Sequence, residues 1–316
     1  MAKESLQYII NKKALNGLTN DRTKTIYKRS TRKFVDWTKG KKMNKYDKIS
    51  GNEIEVLQEY ENYLETQNYT PESIHTYLAP VAKGLGVNLN KIEKPKRTVA
   101  SHVKGKHPEA NKQGQNEKND EKYKRVVEFQ RMVGIRREEL SHLKREDIEM
   151  HNGNLCVVVR SGKGGRLQYQ LIHPKYADRV KEIMNEVKPG ENVFSKAELN
   201  NHIAFHSDRA ELAREMYNEY AKMLEKPQNR VIMKQALMRE FNGHSSNKNH
   251  PGRRNTFLKA LQESNKPIKL RGDNRYMALK NNRPVVYDRL AVTAVSVFHL
   301  AHGRNDVTIK NYLNNW

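Results

Sequence analysis

The chain is short of the features that announce most protein classes. One cysteine among 316 residues leaves no disulfide framework and no zinc site built on several thiolates. That residue, Cys156, lies in LCVVV and reads as a buried core thiol. No apolar run approaches the roughly 20 residues of a membrane-spanning helix. The residues around Leu6 carry no apolar segment of the secretory kind, so neither membrane insertion nor a leader is expected. No carboxylates cluster as Mg²⁺ ligands, and no cofactor motif is present. Acid is also scarce: 36 Asp and Glu stand against 59 Lys and Arg, a formal net charge of +23.

Such an excess repels itself in a compact state, so a polyanion is expected to offset it. Nucleic acid fits best, because Lys and Arg displace condensed counterions from phosphates; an anionic membrane is the rival. The excess is spread along the chain, +9 over residues 1–120 and +14 over the remainder. Two basic bodies facing one polyanion are therefore expected, in the cytoplasm and associated with the nucleoid.

The chain divides by composition. Residues 1–90 read as a helical, DNA-binding domain. TNDRTKTIYKRSTRKFVDWTK predicts a helix started by Asn20 or Asp21, with Ile26, Tyr27, Phe34 and Trp37 on its apolar face. Lys24, Lys28, Arg29, Arg32 and Lys33 stand on the other face, which suits either a phosphate backbone or plain solvent. A second helix is predicted over about Gly51–Gln67, on Ile54, Leu57, Tyr60 and Leu64. A third starts at Thr70-Pro71 and ends at Gly84 and Gly86. Residues 91–120 are poor in large apolar side chains and rich in Lys, Asn, Gly and Pro, the composition of a flexible basic linker.

Residues 121–316 read as a second domain, mainly α with a small β hairpin. EKYKRVVEFQRMVG predicts a helix closed by Gly134, and IRREELSHLKREDI another. LCVVVR and RLQYQLI flank SGKGG as a β hairpin. Helices follow at about Tyr176–Val187, Asp208–Leu224, Arg230–Phe241 and Asn255–Glu263. Residues 286–302 form a strongly apolar helix that should be buried.

Several pieces here carry chemistry. GIRREEL offers Arg136, with Glu139 as an orienting partner. The hairpin tip offers Lys163, between glycines that let it approach a backbone closely. FHSDRAELA offers His206 and Arg209, three apart and so on one helical face. HLAHGRNDVTIKNYLNNW offers His302 and Tyr312. The His-x-x-Arg spacing alone is not specific. It recurs at His142 and Arg145, which read as an exposed helix face, and at His250 and Arg253, where Pro251-Gly252 suggests a turn.

The order of these pieces resembles the tyrosine recombinase (phage integrase) family, in particular the integrases of mobile elements, over about Val126–Leu313. The resemblance implies a helical core-binding domain joined to a mixed α/β catalytic domain. It implies that Arg136 and Arg209 grip the scissile phosphate, with His206 and His302 beside it. Lys163 would be the acid for the leaving 5′ oxygen and Tyr312 the nucleophile. The activity implied is site-specific DNA cleavage and rejoining through a covalent 3′-phosphotyrosine, without metal, ATP or other cofactor. Double-stranded DNA is the implied partner, bound by a homodimer on each site and a tetramer in synapsis, with room for an accessory DNA-bending protein. Ala210 stands where many members have a histidine, and Ala301 where they have a glycine. About residues 225–285 look like an insertion, and the tail after Tyr312 is expected to be very short. A type IB-like topoisomerase shares the chemistry, and a non-catalytic DNA-binding protein could share the fold.

Overall fold

The computed structural model describes residues 4–43, 45–98, 108–162, 165–243 and 251–314. It is 62% helical, with one three-stranded and one two-stranded antiparallel sheet. Among the described residues no helix is long and apolar enough to cross a membrane. The chain forms two compact units, Met1–Lys104 and Gly105–Trp316.

The first unit is a four-helix assembly: α1 (Leu6–Ala14), α2 (Asp21–Gly40), α3 (Glu53–Thr66) and α4 (Pro71–Leu85). Asn20 caps α2, its side chain accepting from the Thr23 amide at 3.0 Å. Thr70 caps α4, Pro71 opens it and the left-handed Gly86 closes it. The core is built on Leu6, Ile10, Phe34, Leu57, Tyr60, Leu64, Ile74, Leu78 and Val81. Two faces differ from expectation. Ile26 and Ile54 are exposed, while Ser30, Thr31 and Thr38 are buried. The reason is size: these hydroxyls bond carbonyls one turn back on α2 and let neighbouring helices approach.

The second unit opens with α5 (Pro108–Glu117), inside the segment expected to be a linker. Side-chain contacts hold its C-terminal end: Glu117 accepts from the His202 amide, and Lys118 pairs with buried Asp208 at 2.7 Å. Helix α6 (Glu121–Val133) ends at Gly134, in the left-handed conformation at φ 66°. The helix expected after it is a single turn, α7 (Arg137–Leu140). Past its end the Lys144 amide donates to the Asp147 carboxylate and Lys144 bridges to Asn192, and the chain turns into a strand instead. Hence the hairpin becomes a three-stranded sheet, β1 (Ile148–His151), β2 (Asn154–Gly162) and β3 (Arg166–Leu171), in the order β1-β2-β3.

Next come α8 (Ala177–Asn185), α9 (Lys196–Leu199) and the long α10 (Phe205–Met223). The segment 225–285 supplies α11 (Pro227–Gly243), α12 (Pro251–Gln262), β4 (Ile268–Lys269) and α13 (Gly272–Lys280). Pro251, expected in a turn, is thus the first residue of a helix, where its missing N–H costs nothing. Leu237, Phe257 and Leu261 share a core with Leu290, Ala294 and Val297, so this segment is built into the unit. The apolar stretch begins with β5 (Val286–Tyr287), paired to β4, rather than as helix. It continues as α14 (Arg289–Ala294) and a π-helical turn, Val295–His299. His302 therefore lies past the helix, in a tight loop with Ala301 at φ 51°. The last elements are α15 (Asn305–Thr308) and a second π-helical turn, Ile309–Leu313.

Candidate active site

Arg209 sits on the buried face of α10, in register with Leu212, Ala213 and Met216, and is only 2% exposed. Moving a guanidinium out of water costs roughly several kcal/mol unless it is met by hydrogen bonds. Here Nη1 donates to the Gly134 carbonyl, and Nη2 donates to the Leu300 carbonyl at 2.9 Å. Gly134 is needed at that corner: its positive φ suits glycine, and a Cβ would meet the Leu212 side chain at 2.9 Å. Arg209 Nε has no hydrogen-bond partner among the described residues. Burial pushes the Arg209 pKa down, opposed first by the Tyr312 phenol.

Arg136 occupies the N-cap of α7. Glu139, 5% exposed, accepts from the Arg136 amide at 2.8 Å and from its Nη1 at 2.6 Å. One carboxylate thus fixes both the backbone and the fork. Gln168 Oε1 accepts from the same Nη1 at 3.4 Å. Gly162 makes room for it, because a Cβ there would fall 1.6 Å from Gln168 Nε2. The Arg136 side chain remains 29% exposed, a charge held in place yet open to a ligand.

Tyr312 lies in the second π turn, 7% exposed, where Arg214 Nη1 donates to its carbonyl at 3.1 Å. The Arg209 guanidinium carbon is 5.7 Å from its ring centre. The His206 ring is 5.0 Å away and the His302 ring 5.9 Å. His206, on the first turn of α10, is exposed.

His302 has a defined tautomer. The Arg304 amide donates to its Nδ1 at 3.2 Å, and the Ser296 hydroxyl lies 3.2 Å from the same atom. Nδ1 is therefore an acceptor, and a neutral ring carries its proton on Nε2. Nε2 is buried and has no hydrogen-bond partner among the described residues. Burial, reinforced by Arg209, Arg136 and Arg304, pushes the His302 pKa down to about 3. The ring is neutral at ordinary pH, with its Nε2–H available as a donor.

Arg136, His206, Arg209, His302 and Tyr312 are thus brought together from three separate stretches of chain. Lys163 lies outside the described residues, after the end of β2 at Gly162 and before the start of β3 at Arg166. The competing pair does not join the site. His142 is exposed, and Arg145 donates to the Asn185 side chain and the Val187 carbonyl. His250 is outside the described residues. Gln168 and Ser296 were not singled out in the sequence, since a glutamine in a strand and a serine in an apolar helix carry no spacing signal.

The five cations assigned to α2 belong to the first unit. Lys28, Arg29 and Arg32 are exposed. Lys24 pairs with Asp21 at 2.9 Å. Lys33 donates to the Tyr69 hydroxyl and lies 4.2 Å from the Tyr69 ring centre and 4.9 Å from that of Tyr77.

A scan against protein-family models finds no match to this chain, and a search of the curated proteins finds none either.

Proposed function

We propose that the chain is a tyrosine-type DNA strand transferase, a site-specific recombinase that cleaves and rejoins DNA through a 3′-phosphotyrosine. The observation that carries this reading is the setting of Tyr312. The Arg209 guanidinium and two imidazoles lie against its ring, and two buried donors among them, Arg209 Nε and His302 Nε2, have no hydrogen-bond partner among the described residues. Buried donors are rarely left unmet. A phosphodiester oxygen would satisfy both.

The chemistry follows from the charges. Attack on a phosphodiester builds negative charge on the non-bridging oxygens, and forked guanidiniums meet it better than point charges. Arg136 and Arg209 are held before substrate arrives, the former by Glu139 and the latter by two carbonyls, so little reorganisation accompanies reaction. His302 adds a neutral donor through Nε2–H. Tyr312 attacks phosphorus as its phenolic proton passes to His206. The 5′ oxygen leaves with a proton from Lys163, and the phosphotyrosine keeps the bond energy for resealing without ATP.

In this reading residues 1–90 are the core-binding domain, with Lys24, Lys28, Arg29, Arg32 and Lys33 on the DNA backbone. Two copies bind each site and four form the synapsis, where an accessory bending protein could assist. The test is incubation with the DNA flanking the reading frame, followed by a denaturing gel. A protease-sensitive protein–DNA species is expected. Its absence on every fragment that the protein shifts in a native gel would leave a DNA-binding protein without this chemistry.

A further inference from the structure

The carbonyls that grip Arg209 are themselves held one residue upstream. Gln170 Nε2 donates to the Val133 carbonyl at 2.9 Å and to the His299 carbonyl. The next carbonyl after each, Gly134 and Leu300, receives the Arg209 guanidinium. A single amide, 1% exposed, therefore ties the end of α6 to the first π turn where both meet Arg209. Its orientation is forced, since only the NH₂ end can serve two carbonyls.

Gln130 repeats the arrangement on the other side. Its Nε2 donates to the Ile135 carbonyl at 2.6 Å and to the Phe205 carbonyl at 3.4 Å. Those residues immediately precede Arg136 and His206. Gln130 is fully buried, and its Oε1 has no hydrogen-bond partner among the described residues. An orphaned oxygen in a core is costly, and apolar packing would avoid it. Retaining it fits an amide whose NH₂ end has a task.

We propose that Gln170 and Gln130 are positioning residues: Gln170 sets the place of Arg209, and Gln130 sets that of Arg136 and His206. This rests on the strand-transfer reading. Neither amide touches the phosphate. Each fixes two backbone segments from which the groups that do touch it depart.

The test is Gln170→Met, which keeps length and removes both donors, on DNA nicked next to the cleavage point so that the adduct accumulates. The maximal rate of adduct formation should fall about 10- to 100-fold, the scale of an ångström-sized misplacement. DNA affinity, set by many phosphates, should stay within about twofold. If Gln170→Met does not show the wild-type melting transition, Gln170→Asn replaces it; its shorter stem cannot span both carbonyls, and the same split is expected. Gln130→Met should behave likewise. A wild-type rate in the folded variants would overturn the inference while leaving the strand-transfer reading intact. So would an equal loss of rate and affinity, the mark of a general packing role. No adduct with the wild-type protein would remove the reading and the inference together.

Discussion

The guanidinium carbon of Arg209 lies 5.7 Å from the centre of the Tyr312 ring, and Arg209 is 2% exposed. A cation and a phenol are thereby held together in the dry part of the unit. The cation also lowers the pKa of His302. These three groups form one electrostatic unit, into which Arg136 brings the more exposed charge.

Arg209→Lys should therefore be severe. A lysine ammonium cannot reach two carbonyls and still present a planar donor edge. Adduct formation should fall by about 10²–10³-fold, the scale of one lost preorganised donor. Native-gel affinity should change little. Since these guanidiniums supply the charge stabilisation, wild-type cleavage should proceed in EDTA; an absolute Mg²⁺ requirement for cleavage would count against this role.

Lys163→Ala should slow cleavage of ordinary DNA but spare a substrate whose leaving 5′ oxygen is replaced by sulfur. Sulfur departs without a proton. Equal slowing on both substrates would make Lys163 a backbone contact rather than the acid.

Much of this arrangement could be read from the chain, and the parts that could not have physical causes. Caps and stops were legible, because Asn20, Thr70-Pro71, Gly86 and Gly134 act within a turn of their own position. Arg136, His206, Arg209, His302 and Tyr312 were singled out by their order along the chain and its resemblance to a known family rather than by spacing, and only the fold brings them to one place. Strand β3 was legible as a strand but its facing was not. Alternation in RLQYQL would bury Leu167, Tyr169 and Leu171, yet Gln168 and Gln170 point inward and Leu167 is 37% exposed. Bonds to Arg136 and to the Val133 and His299 carbonyls override hydropathy there. The helix expected after Gly134 is one turn long because the chain past Leu140 is held by other bonds, the Lys144 amide to the Asp147 carboxylate and the Lys144 bridge to Asn192.

Acid should destabilise the second unit through its histidines. Burial holds His299 and His302 near a pKa of about 3 in the fold, against about 6.5 when unfolded. The unfolded chain therefore binds more protons between these values. This contribution is fully present above about pH 6.5 and is lost as pH falls toward 3. Urea titrations at pH 7 and 5 should show a smaller pH dependence for His302→Gln than for the wild type; equal slopes would mean the ring is not held neutral.

Binding should be salt-dependent, as a net charge of +23 spread over both halves requires. With six to ten phosphate contacts, affinity should drop about 10³–10⁵-fold between 50 and 200 mM salt. Charge reversal at Arg29 and Arg32, both exposed on α2, should flatten that slope. A flat wild-type response would contradict backbone-driven DNA binding.

Tyr312→Phe tests the central claim most directly. The change removes one oxygen and leaves the ring to pack among His206, Arg209 and His302. On nicked DNA the wild-type protein should yield an adduct that, after proteolysis, carries a nucleotide 3′ phosphate on the peptide containing Tyr312, with a free 5′ hydroxyl on the released strand. The phenylalanine variant should shift the same DNA in a native gel and yield no adduct. An adduct that persists in Tyr312→Phe, or a wild-type adduct mapped to another residue, would contradict the role assigned to Tyr312.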